Sequence, residues 1–223
     1  MTDEWVEWHR GYEQDTNQSR RLATVIQLIR QALEAAPPGP IRVVSLCAGD
    51  GRDLLGALSA HPRSEDVRAR LVELDPELVH RGEERLRRDG TRGVEFVQGD
   101  ASTTEAFEGA VPADLVLVCG VFGNVTDEDV RNTISHLPEL SAAGATVIWT
   151  RGRFAPDLTP TIRAWFRDAG FDELSFVPVP NSTASVGAHR LRAPPRRLPS
   201  STRLFTFLPK EARPSEQHTA SAG

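Results

Sequence analysis

The run Val43-Val44-Ser45-Leu46-Cys47-Ala48-Gly49-Asp50-Gly51-Arg52-Asp53 has the composition of a buried strand that runs into a glycine turn and opens a helix. β-branched residues suit a strand covered on both faces. Gly49 and Gly51 permit a sharp turn and a close ligand approach, and the first amides of the following helix lack intrahelical partners. Such a device can cradle a nucleotide. Two carboxylates end later apolar runs: Glu73 in Arg70-Leu71-Val72-Glu73-Leu74-Asp75-Pro76, and Asp100 in Phe96-Val97-Gln98-Gly99-Asp100-Ala101. Glu73 lies about 20 residues past the turn, where a dinucleotide site carries its ribose acid. That fingerprint also needs a glycine where Leu54 stands, and Gly56 is out of register. A Gly-Asp pair after the third strand has no role in it either, so the three features together speak against nicotinamide chemistry.

Over residues 41–177 the chain resembles the class I S-adenosylmethionine-dependent methyltransferases, on the glycine turn, Glu73 and Asp100. The resemblance implies a doubly wound, Rossmann-like α/β fold with a seven-stranded sheet, mostly parallel with an antiparallel last strand. It implies S-adenosylmethionine as cofactor and methyl transfer as activity. Cys47, Ala48, Gly49, Asp50, Gly51 and Asp53 would surround the methionine and ribose portions, Glu73 with Leu74 would hold the ribose, and Asp100 with Ala101 would face the adenine. Cys119 and Gly120, at the exit of the fourth strand, would lie where methyl donor and acceptor meet, and Tyr12 would reach the cofactor from an N-terminal helix. Two positions depart from the pattern: Ser45 stands where the family has an acid, and Cys47 where it has its first glycine. Asp50, Asp53 or backbone carbonyls are therefore expected to take the methionine amino group.

Methyl transfer from a sulfonium is an in-line displacement with a good leaving group, so the protein's main task is alignment, which contributes on the order of 7–11 kcal/mol. A hydroxyl or ammonium acceptor also needs its proton removed, and histidine suits that near neutral pH. His189, in the loop expected before the last strand, and His9, beside Trp5, Trp8 and Tyr12, are the candidate bases. Asn124 and Arg151 follow the fourth and fifth strands, on the edge where open α/β sheets bind ligands. They are the candidate acceptor contacts, Arg151 as partner of a carboxylate.

The elements that must position these residues follow from periodicity. A helix is expected over 20–35, ended by Pro37-Pro38-Gly39-Pro40. Strands near 41–47, 69–74, 94–98, 113–119 and 145–150 alternate with helices over 52–60, 76–88, 127–137 and 159–170, with Asp75 and Thr126 as N-caps. The stretches 171–177 and 203–208 read as an antiparallel pair at one sheet edge, with acceptor-binding residues 181–191 in the loop between them. Residues 1–36 would form a helical lid, 37–210 the cofactor-binding core and 211–223 a disordered tail.

A chain of 223 residues can bury one substantial core. A net charge of −5 disfavours a broad nucleic-acid surface, so a small-molecule acceptor is expected and nucleic acid is not. Two cysteines are too few for a zinc cage, and no metal site is expected. No run is apolar enough to span a bilayer and the acidic amino terminus lacks a signal-peptide pattern, so a cytoplasmic location without membrane partners is expected; a homodimer is left open. RNA or protein methylation and a non-catalytic S-adenosylmethionine-binding regulator are the competing readings.

Overall fold

The computed structural model describes residues 17–199 and 201–213. His9, Tyr12, residues 1–16 of the proposed lid and residues 214–223 of the proposed tail lie outside them. The elements run α1 (Asn17–Ala35), β1 (Ile41–Leu46), α2 (Arg52–Leu58), β2 (Val67–Glu73), α3 (Pro76–Asp89), β3 (Val94–Gln98), β4 (Ala113–Val118), α4 (Asp127–Leu140), β5 (Ser141–Gly152), α5 (Thr159–Asp168), β6 (Phe171–Pro178) and β7 (Ala184–Leu191). Local chemistry sets the helix starts. Asp75 accepts from the amides of Glu77 and Leu78 at the head of α3, and Thr126 accepts from Asp129 at the head of α4. α4 continues one turn past its expected end, through Pro138.

The seven strands form one sheet in the order β3-β2-β1-β4-β5-β7-β6, with β7 antiparallel to both its neighbours. Alternate residues face opposite layers. Val44, Leu46, Val116, Val118, Val147 and Trp149 pack on α4 and α5, while Val43, Leu115, Leu117 and Ile148 pack on α1 and α2. Helix α1 supplies Val25, Leu28, Ile29 and Leu33 to that second core, so residues 17–35 form part of the sheet's covering layer. No helix among the described residues is long and apolar enough to cross a membrane.

The partner of β6 differs from expectation. It is 184–191, whereas 202–208 make only isolated bridges, Thr103 with Arg203 and Val125 with Phe207. The sequence Ala184-Ser185-Val186-Gly187-Ala188-His189-Arg190-Leu191 looks like a loop because its residues are small or polar, yet the strand is almost wholly buried. Size explains this. A Cβ on Gly187 would stand 2.3–2.5 Å from the Trp149 indole, so only glycine fits beside that ring. Residues 211–213, expected to be tail, begin within a short 3-10 turn, Lys210–Ala212.

Gly187→Ala should therefore cost about 1–3 kcal/mol by overpacking. A lower urea midpoint at unchanged m value is the expected result.

Candidate active site

The carboxyl ends of β1 to β5 form one continuous edge, and main-chain geometry there prepares a cradle. After β1 the chain turns through Cys47 (φ 53°), Gly49 (φ 59°) and Gly51 (φ 68°), all left-handed. Cys47 thus adopts the conformation that a glycine would take at no cost. Gly51 cannot be replaced so easily, since a Cβ there would lie 2.7 Å from both Leu71 and Phe96. Gly51 is also the N-cap of α2, and the Leu55 amide bonds its carbonyl at 2.9 Å.

Glu73 locks this turn to β2. Its Oε2 accepts from the Gly49 amide at 2.8 Å, and its Oε1 accepts from Leu74 at 2.8 Å and Asp75 at 2.9 Å. Burial raises its carboxyl above the ordinary value, against the pull of these amides. An ionised carboxylate has about four acceptor positions. Three are taken, which leaves one on Oε2 for a ligand hydroxyl. Leu74, beside it, is 65% exposed, an unusual state for a leucine at the centre of such an edge.

The Gly99 amide ties β3 to the Glu73 carbonyl at 2.9 Å and delivers Asp100 next to Glu73. Asp100 Oδ1 accepts from the Ser102 amide at 2.9 Å, and Arg203 stands 3.5 Å from Oδ2. Burial raises this carboxyl, but the bonds from Ser102 and the charge of Arg203 outweigh it and hold it below its ordinary value. Burial pushes the Cys47 thiol well up, with Glu73 and Asp100 adding to the rise, so it is an uncharged wall.

At the entry to α2 the two candidate acids, Asp50 in the turn and Asp53 in the helix, separate. Asp50 is bound by Arg52, at 2.6 Å and 2.8 Å, with Arg85 at 3.7 Å. Asp53 is buried, and its Oδ1 takes the Leu54 amide at 2.7 Å. Burial lifts its carboxyl to about 6, with Asp50 contributing to the rise and Arg21 opposing it. Asp53 and Arg21 are also the charges that act on Cys119, whose thiol burial raises far above its ordinary value. Arg21 carries no motif; its place on α1 was the only clue in the sequence.

Beyond β4, Gly120 (φ 81°) donates its amide to Thr150 Oγ1 at 2.9 Å, and a Cβ on it would meet nothing within 4 Å. Asn124 turns its amide back onto the Gly120 carbonyl at 2.6 Å. Arg151, expected to face an acceptor carboxylate, is instead buried; it donates to the Phe122 carbonyl and reaches Asp127 at 3.4 Å. Both residues shape the loop 120–124 from within.

His189 is corrected most. It sits on β7 opposite Val147 and Glu173, well back from the carboxyl edge, and is 1% exposed. Its ring stacks on Phe166 at 4.2 Å, and its Nδ1 accepts from the Trp149 indole at 3.1 Å. Burial pushes the imidazole down to about 4. A base must reach the proton it removes, and this one is walled in by aromatic rings.

Residues 8–168 match the family described as "Putative methyltransferase". The uncharacterized protein YnbC of Escherichia coli K12 is 33% identical over 146 residues, 62% of this chain; the match spans 24% of YnbC, so the chain corresponds to about a quarter of that relative's length. Among solved structures, magnesium protoporphyrin IX methyltransferase from Synechocystis PCC 6803, with bound S-adenosylmethionine, superposes with a TM-score of 0.66 at 16% identity over 84% of this chain and 91% of that one. An O-methyltransferase family protein from Burkholderia thailandensis gives 0.58 at 19% identity, covering 82% of this chain and 62% of that one. At these identities the structural likeness is one of fold.

The buried imidazole makes stability depend on pH. Its folded value lies below that of the unfolded chain, near 6.5, so its contribution is intact above that pH and is lost as pH falls from 6.5 towards 4. His189→Gln, which keeps an acceptor for Trp149, should lose about 1–2 kcal/mol less stability than the wild type between pH 7 and pH 5. Urea unfolding at the two pH values would measure it; equal losses would contradict the assignment.

Proposed function

The chain belongs to the methyltransferase family and has the class I S-adenosylmethionine-dependent fold, and on that premise we propose that it moves a methyl group from S-adenosylmethionine to an O or N atom of a small molecule. One observation carries the cofactor half of this reading. Asp100, Glu73, the glycine turn and Asp53 follow one another along a single edge, at the ends of β3, β2 and β1 and in the first turn of α2. That order suits an adenosine joined to an amino acid.

In this reading Asp100 accepts from the adenine amino group, and Leu74 and Ala101 cover the ring. Glu73 uses its one remaining acceptor position on a ribose hydroxyl, and Cys47, Ala48 and Gly49 line the path to the sulfur. Asp53 takes the methionine ammonium. Asp50 is excluded from that task by its two arginines, whereas Asp53 is a buried carboxylate whose charge has only partial compensation. The bound cofactor supplies an electrophilic methyl carbon on a sulfonium. The chain's part is to orient donor and acceptor at the exit of β4, where Cys119 and Gly120 leave an uncharged, open wall, and to keep the loop 120–124 in place through Arg151 and Asn124. Of the two histidines considered as base, His9 is the one this reading retains.

S-adenosylmethionine and S-adenosylhomocysteine should both stabilise the protein. At a hundredfold excess over Kd the gain is about 2.7 kcal/mol, or roughly 5–10 °C in melting temperature for a domain of this size. A shift with NAD in their place would refute the assignment.

Asp53→Asn separates binding from stability. The folded carboxyl titrates above its unfolded value, so ionised Asp53 costs stability above about pH 6, and the cost disappears below about pH 4. The variant should be about 1–3 kcal/mol more stable than the wild type at pH 7.5, with the gain vanishing at low pH. It should bind S-adenosylhomocysteine at least tenfold more weakly, through loss of a charge-assisted bond. 5′-Methylthioadenosine, which lacks the amino-acid portion, should bind both proteins alike.

A further inference from the structure

The wall beside Asp100 is built by a part of the chain outside the matched residues 8–168. Residues 202–208 cross the carboxyl edge from the loop after β3 to the loop after β4. At one end the Thr104 amide donates to the Thr202 carbonyl at 3.0 Å and the Leu204 amide to the Ser102 carbonyl at 2.7 Å. At the other end the Leu208 amide donates to the Asn124 carbonyl at 2.8 Å. α4 grips the middle: Asn132 donates to the carbonyls of Arg203 and Leu204, at 3.0 Å and 2.8 Å, and Thr133 Oγ1 to that of Leu204 at 3.0 Å. Leu204 and Phe205 are fully buried. The backbone that carries Arg203 is thus fixed from both sides, and its guanidinium donates to Ser102 Oγ at 2.7 Å while standing 3.5 Å from Asp100 Oδ2.

We propose that Arg203 is a positioning residue for the purine end of the cofactor site: with the Ser102 amide on Oδ1 and Arg203 on Oδ2, the Asp100 carboxylate is held in the orientation that accepts from an exocyclic amino group. This rests on the methyltransferase reading above. Asp100 is about half exposed, so nothing in the apolar core restrains its rotation. Two charged or polar grips on separate oxygens supply that restraint, and the strap makes the second grip rigid. Each oxygen keeps a lone pair for the ligand, because a carboxylate accepts about four bonds.

The test is a double-mutant cycle on the affinity for S-adenosylhomocysteine, measured by calorimetry at fixed salt with the full chain. Arg203→Gln keeps a long polar side chain and removes the charge; it should weaken binding about three- to tenfold, in the range of a partly exposed charge pair. Arg203→Lys should recover part of the loss. In an Asp100→Ala background, Arg203→Gln should change nothing further, because its route to the ligand is gone. An equal loss in both backgrounds would mean that Arg203 acts independently, by loosening the strap, and would overturn the proposal. Unchanged affinity in the single variant would overturn it as well. If Arg203→Gln does not fold, Ser102→Ala, which removes the hydroxyl that Arg203 holds, gives the same cycle. Wild-type protein that binds no S-adenosylhomocysteine would sink the cofactor reading itself, an outcome separable from additivity between the two sites.

Discussion

Everything on the carboxyl edge is referred to one carboxylate. Glu73 has been drawn out of water at the end of β2, where an ionised group is tolerated only if hydrogen bonds replace its hydration. Three amides do so, from Gly49, Leu74 and Asp75. The bond to Gly49 spans the gap between β2 and the turn after β1, and so decides where that turn sits. The bonds to Leu74 and Asp75 curl the chain towards the N-cap of α3. The main chain of the same residue receives Gly99, which brings Asp100 alongside. Removing the carboxylate would leave three donors unsatisfied and the glycine turn without its tether, a larger disturbance than the loss of a ligand contact.

The rest of the edge is joined by the same device on a smaller scale. The Thr150 hydroxyl receives Gly120, Arg151 holds the loop after β4, and the Ser185 hydroxyl donates to the Arg151 carbonyl. The β2, β4 and β7 ends are thus each fastened to a neighbour by one polar side chain, while most of the sheet's interior is apolar. Asp53 is the exception. It has one backbone donor and a charge that burial disfavours. A buried carboxylate so sparsely compensated costs the fold stability that Glu73, with its three amides, does not.

The sheet was legible wherever a strand was β-branched and a helix had a cap, because hydrophobic period and end chemistry act locally. β1 to β5 and the starts of α3 and α4 are of this kind, and so are the places of Gly49, Gly51, Glu73 and Asp100. The sequence misled where tertiary packing overrode local character. β7 is made of small residues because Trp149 fills the space above Gly187, a fact that lies some forty positions away in the chain. His189 was taken for a loop residue for the same reason, and its burial follows from the misassigned strand. Arg151 and Asn124 were correctly placed at the edge, but nothing local says whether a polar side chain turns outward to a ligand or inward to its own loop. Arg203 was illegible altogether, since its partners Ser102 and Asp100 are brought to it only by the fold.

The strand order β3-β2-β1-β4-β5-β7-β6 has a consequence for the growing chain on the ribosome. The first five strands can add to the sheet as they emerge, each beside one already made. β6 cannot, because its only neighbour is β7, which is synthesised after it. The Asp100 loop likewise waits for a segment about a hundred positions further on. Contacts of such long range are closed slowly and late. A nascent chain would therefore carry a nearly finished sheet with an open Asp100 loop and an unpaired β6 edge, and these would close only once residues 184–208 have emerged.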